Sequence, residues 1–249
     1  MKWRTHRAIT ERVLRSLGLR SDVIEACLEG VIEPDRRAGF SLTLDYRGRL
    51  RIIRRPHHSF WRSFDSLAYI YKARKHVLEG KHQSAAHYLG LALHYIQDRC
   101  IRDVLFIDHE GLEAEAGRVE VPEEAIRSGF RDSVSNPFRV EKAIIWHVWP
   151  SWIPTVAVWR AAYYTAYIAK AVFDLDAIEF EKARMEKSKL ARWVKWSAIA
   201  FSASTVATLT AYTYHLNILL PMTVVNVLLT IPLAYLLDRI SKIRRWFGL

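Results

Sequence analysis

The segment YLGLALHYIQD, residues 88–98, carries an imidazole and a carboxylate four positions apart. On a helix, His94 and Asp98 project from one face, where they can share one divalent metal or bridge two. Leu89, Leu91, Ala92, Leu93 and Ile96 surround the pair, so this helix is expected to be buried over much of its surface. A buried carboxylate needs a partner, and a metal ion is one of the few that suffices. His109 and Glu113, in HEGLE, repeat the same spacing. Upstream lie His6 on the first helix, Asp35 in a Pro34-Asp35 turn, and His57-His58 after Pro56. Nitrogen and oxygen donors without a cysteine form a set that suits zinc. His76, His82, His87 and His147 read as structural, and Cys100 as a buried thiol.

Several elements must position these residues. Residues 1–195 read mainly as helix. Ile9, Val13, Leu14 and Leu17 recur at a 3–4 spacing, and Gly18 supplies a C-terminal cap. Residues 59–78 and 82–105 repeat the pattern on either side of Glu79-Gly80-Lys81. Residues 143–173 are strongly apolar, with a break expected at Pro150 and Pro154. They include Trp146, Trp149, Trp152 and Trp159, whose expected role is core packing; a dip into a bilayer interface is the alternative. Residues 40–53 alternate apolar and polar around Arg47-Gly48, the pattern of a β-hairpin. Arginines 47, 49, 51, 54 and 55 there would favour an anionic substrate, or form a solvated hairpin. Lys72, Arg74, Lys75 and Lys81 read as a solvated helix face.

Composition narrows the classes. Hydrophobic residues make up 51% of the 249 and charged residues 25%, which excludes disorder as the main state. Two cysteines, Cys27 and Cys100, exclude a disulfide framework. A net charge of +11 points to an anionic partner, nucleic acid or a membrane surface. Asn occurs only at 136, 217 and 226, and Gln only at 83 and 97, a poverty in thermolabile amides that fits a thermophile.

Residues 196–237 contain no Lys, Arg, Asp or Glu. A membrane-spanning helix needs about 20 such residues. The stretch therefore predicts a transmembrane helical hairpin, residues 196–214 and 218–237, turning at His215-Leu216-Asn217. Trp196, Tyr212 and Tyr214 sit where interfacial aromatics belong, and Pro232 is placed to kink the second helix. Lys187, Lys189, Arg192 and Lys195 precede the hairpin; Arg239, Lys242, Arg244 and Arg245 follow it. By the positive-inside rule both flanks lie in the cytoplasm. The opening residues MKWRTHRAITERVL read as an amphipathic helix, not a signal peptide. The expected division is a helical domain over 1–195, the hairpin over 196–237 and a basic cytoplasmic tail over 238–249.

The order of these residues resembles a family. A His on the first helix, an Asp in a loop, a further His, YLGLALHYIQD and then HxxxE look like the zinc-dependent phospholipase C fold, which fungal zinc-dependent single-strand nucleases share. The resemblance covers about residues 3–175. It implies an all-helical bundle, here with a small β-hairpin insertion, holding up to three zinc ions and hydrolysing phosphodiesters. It implies that Asp35, one of His57 and His58, His94 and Asp98 hold one zinc. Asp98 would bridge to a zinc shared with His6, while His109 and Glu113 would hold the remaining one. A loop Asp like Asp35 is also placed to act as general base. Two positions depart from the family. Trp3 follows Met1-Lys2, where the family uses the free amine of an N-terminal Trp, and Val104 stands where the family has a His. The expected function is a membrane-anchored, metal-dependent phosphodiester hydrolase acting on phospholipid. A nuclease, or a non-catalytic metal-stabilised adaptor, is the alternative.

Overall fold

The computed structural model describes residues 1–36, 40–44, 50–54, 62–101, 109–213 and 219–249. It divides into two compact units, residues 1–175 and 176–249. The first unit holds helices α1 (Trp3–Ser16), α2 (Ser21–Arg36), α3 (Arg62–Leu78), α4 (His82–Arg99), α5 (His109–Ala116), α6 (Glu123–Asp132), α7 (Pro137–Lys142) and α8 (Pro154–Phe173). Strands β1 (Phe40–Leu44) and β2 (Leu50–Arg54) pair antiparallel, with Phe40 opposite Arg54 and Leu44 opposite Leu50. The alternation in residues 40–53 thus does form two paired strands.

Local sequence explains the helix ends. Gly18 takes φ +74° after α1, and Gly80 takes φ +72° between α3 and α4. A residue without a Cβ adopts that left-handed turn at no steric cost. Asn136 caps α7, its side-chain oxygen accepting from the N–H groups of Phe138 and Arg139. Pro34 lacks the N–H that would bond Gly30. Even so, α2 continues to Arg36, so Asp35 sits in the last helical turn, not in the expected loop.

Helix α4 is the centre of the first unit and packs against α1, α2, α3 and α8. Its closest neighbour is α2, and two glycines set that distance. A Cβ on Gly90 would lie 2.2 Å from the Cys27 carbonyl oxygen, and one on Gly30 would lie 2.2 Å from that of His87. The helices therefore touch backbone to backbone at this crossing. Leu89, Leu93 and Ile96 of α4 and Cys27, Leu28 and Val31 of α2 are all buried.

Two assignments of role change. Arg74 is not on a solvated face; it is 2% exposed. Its guanidinium donates to the carbonyls of Val172 (2.7 Å) and Asp174 (2.6 Å), closing the C-terminal end of α8. Burial lowers its pKa to about 10. The tryptophans of residues 146–159 are not core. Trp146 is 66% exposed, Trp149 64% and Trp152 56%. Residues 143–147 form a short π-helical turn, and an extended stretch runs from there to α8. Across residues 144–152, Ile144 and Val148 are buried while Trp146, Trp149 and Trp152 are exposed.

The second unit is two long helices, α9 (Ala177–Thr213) and α10 (Leu219–Phe247). Their contacts run in opposite order: Phe180 with Phe247, Glu186 with Arg239, Thr205 and Thr208 with Asn226. The helices are therefore antiparallel. Residues 223–247 are long and apolar enough to cross a membrane. The expected tail over 238–249 is instead helical to Phe247, with Ile243 and Trp246 buried. Helix α9 runs unbroken through residues 195–196, and the two compact units meet in sequence at 175–176.

Candidate metal centre

The site grows from α1 and α4. Helix α1 turns Thr5, His6, Ile9, Thr10 and Val13 inward, so the polar side chains of His6 and Thr10 lie one turn apart on its buried face. Helix α4 presents His94, Gln97 and Asp98 to them. His6, His94 and Asp98 are all buried, and one donor atom from each lies within 4.8 Å of the others. They form a buried group able to hold a metal ion.

The hydrogen bonds around this group fix each imidazole. His94 Nδ1 lies 2.9 Å from the carbonyl oxygen of Val31 on α2. A carbonyl only accepts, so Nδ1 carries the proton. His6 Nδ1 lies 2.7 Å from Gln97 Oε1, while the Gln97 amide donates to Thr10 (3.0 Å) and Thr165 (2.9 Å). With the amide so oriented, His6 Nδ1 also donates. In its neutral form each ring then has its lone pair on Nε2.

Those two Nε2 atoms face the carboxylate without being bonded to it. His6 Nε2 is 3.0 Å from Asp98 Oδ1, and His94 Nε2 is 3.2 Å from Asp98 Oδ2. Neither approach has hydrogen-bond geometry, and both nitrogens are buried without a hydrogen-bond partner. Leaving such an atom unpaired costs about 1–3 kcal/mol. A cation held jointly by all three would satisfy both nitrogens at once. A histidine that donates Nδ1–H to an oxygen and offers Nε2 inward has the usual orientation of a metal ligand. By this test the residues present fit a metal ion.

The charges around the site are closely coupled. The Met1 amine lies 2.6 Å from Asp98 Oδ1 and 2.8 Å from Glu113 Oε1. Burial alone would raise the pKa of Asp98, but the amine, His6 and His94 together hold it well below the usual carboxylate range. Burial lowers the pKa of His6, which favours its neutral form. For His94 burial pulls the same way, yet Asp98 and then Asp35 outweigh it and raise the pKa.

The chain matches no family model, no curated protein and no solved structure. The metal assignment therefore rests on the geometry of these side chains alone.

The other expected site residues fall in three groups. Asp35 places Oδ1 3.7 Å from His94 Nε2, with its side chain 35% exposed, at the solvent side of the cluster. Glu113, on α5, joins the cluster through the Met1 amine. His109 is the first residue of α5. His57, His58 and Val104 lie outside the described residues. Sequence reasoning missed Gln97, Thr10, Thr165 and the Val31 carbonyl, which orient the two rings. One signal was available: Gln97 is one of only two glutamines in the chain, and it lies three residues from His94 in an apolar helix.

Proposed function

We propose that the chain is a membrane-anchored, zinc-dependent phosphodiester hydrolase acting on phospholipid head groups. The observation that carries this reading is the pair of buried, unpartnered Nε2 atoms converging with Asp98. His6, His94 and Asp98 would hold the metal. Zinc bound there would lower the pKa of a coordinated water and neutralise a phosphodiester's charge. Asp35 is the partly exposed carboxylate beside His94, within reach of a substrate entering from solvent, so it is assigned the role of general base. Gln97 and Val31 keep the rings in the tautomer that leaves Nε2 free.

A membrane location is supported by the second unit. Residues 223–247 meet the length and apolarity needed for a span. On α9, Trp196, Ile199, Val206 and Leu209 are exposed apolar side chains, as are Val224, Val227, Leu228 and Ile231 on α10. In water such surfaces would drive association. In lipid they are ordinary. Asn226 donates to Thr208 across the two helices, the kind of polar contact that joins transmembrane helices. We assign α9 from residue 196 and α10 to the two spans, with both basic flanks on the cytoplasmic side.

A second reading is a non-catalytic adaptor stabilised by a structural metal; the complete burial of both imidazoles favours it. One experiment separates the two readings. Detergent-purified chain is loaded with zinc, its metal content measured by mass spectrometry, and phosphorylated head groups released from mixed phospholipid are quantified. The hydrolase reading expects release that both His94→Ala and Asp98→Ala abolish along with the zinc. Bound zinc without release from any lipid mixture leaves the adaptor. Cleavage of a labelled single strand in place of lipid would make the enzyme a nuclease.

A further inference from the structure

The exposed tryptophans of residues 146–159 have no role in the metal site, and their display is built into the fold. The segment that carries them is pinned along its length. Arg99 donates to the carbonyls of Ile144 (2.7 Å) and Ile145 (3.0 Å). Tyr164 donates to the His147 carbonyl, and Arg160 to that of Trp149 at 2.8 Å. The Ser151 N–H donates to the Cys100 carbonyl at 2.9 Å. Ile144 and Val148, each 1% exposed, anchor the segment in the core. With its backbone so held, Trp146, Trp149 and Trp152 stay at the surface. Ile153 and Trp159 extend the exposed apolar area. Soluble surfaces rarely gather this much aromatic area unless something covers it.

The charge beside the patch tells what covers it. A cavity of about 340 Å³ opens there, lined by Arg139, Lys142 and His147 on one side and Tyr163, Tyr164 and Tyr167 on the other. Arg139 and Lys142 are exposed and form no ion pair among those described. The nearby carboxylates are engaged: Asp132 accepts from Tyr163 and Arg131, and Glu141 accepts from Tyr71. The cavity thus offers the cations of Arg139 and Lys142 to an anion, next to tryptophans. Tryptophan favours the head-group level of a bilayer, where its ring is buried and its N–H stays wet.

We propose that residues 146–159, with the cavity bounded by Arg139 and Lys142, form a docking surface for an anionic phospholipid bilayer, the cavity taking a lipid phosphate. The tryptophans supply the apolar insertion and the two cations the preference for negative lipid. The surface is distinct from the metal centre and does not depend on hydrolysis. It rests on the membrane reading only for how the full chain is presented to lipid.

The test uses full-length protein reconstituted into phosphatidylcholine vesicles with and without phosphatidylglycerol. A fluorophore is attached at Trp149→Cys, at Trp152→Cys as a guard against a local folding defect, and at Glu25→Cys as a reference. Cys27 and Cys100 are fully buried and do not compete for the label. Vesicle flotation reports anchoring, and quenching by nitroxide-bearing lipid reports docking. The expected result is strong quenching at 149 and 152, weak quenching at 25, and an increase with phosphatidylglycerol. Replacing Arg139 or Lys142 with Gln should lower the docked-to-undocked ratio about fivefold each at low salt, from roughly 1 kcal/mol per surface cation. Protein that floats but is quenched no more at 149 and 152 than at 25 overturns this inference and leaves the anchor standing. Protein that does not float overturns both.

Discussion

The chemistry of the site depends on which atom of each imidazole is free. Gln97 settles that for His6: its carbonyl accepts from Nδ1, and its amide is held by Thr10 and Thr165. Gln97→Leu would preserve the shape of the core but leave Nδ1 without an acceptor. The ring would then be free to turn or to change tautomer. Partners of this kind are worth 10–100-fold in metal affinity. Zinc affinity of Gln97→Leu, measured by competition with a chromophoric chelator, is expected to fall in that range while far-ultraviolet dichroism stays unchanged. An unchanged affinity would remove Gln97 from the site. Such a partner is hard to read from sequence because it is defined by a contact between residues 91 positions apart. His94 and Asp98, by contrast, were legible because four residues is one helical turn, and local spacing alone puts both on one face.

At the scale of elements, the site is made by how closely α2 and α4 approach. Gly90 lets α4 lie against the backbone of α2, and the His94–Val31 hydrogen bond joins the same two helices. In Gly90→Ala the new methyl would meet the Cys27 carbonyl oxygen at 2.2 Å, far inside van der Waals contact, and backbone cannot step aside as a flexible side chain can. Overpacking of this sort costs about 1–3 kcal/mol, occasionally more. A lower thermal midpoint in detergent is expected, together with weaker zinc binding as His94 moves off Val31. A midpoint equal to that of wild type would mean the crossing is looser than described. The glycine in YLG was visible in the sequence as part of a motif, but its purpose was not, because the atom it avoids belongs to another helix. The same limit explains Arg74 and the tryptophans. Composition marks a residue as cationic or apolar, while only packing shows that Arg74 turns inward to close α8 and that Trp149 turns outward. The strand pair of residues 40–54 lay within reach of sequence because its period-2 pattern is local.

At the scale of the whole molecule, the proposed membrane anchor predicts which side of a bilayer each end of α9 and α10 occupies. Residues 196–213 of α9 rise about 27 Å at 1.5 Å per residue, close to the thickness of a hydrocarbon core. The same helix continues N-terminally through Lys187, Lys189, Arg192 and Lys195, which cannot follow it into lipid without large cost. Antiparallel α10 brings Arg239, Lys242, Arg244 and Arg245 back to that same level. Residues 214–218, between the two helices, contain no Lys, Arg, Asp or Glu, so nothing there opposes translocation. If α9 and α10 form the proposed anchor, the bias in basic residues predicts both flanks in the cytoplasm. Protease added to intact cells should leave residues 1–190 whole, and the same protease added to inverted membrane vesicles should remove them. Digestion from the outer face of intact cells would reverse the orientation. Release of the whole protein by alkaline carbonate, which strips peripheral proteins but not spanning ones, would instead make α9 and α10 a soluble helix pair, its exposed apolar faces covered by protein rather than by lipid.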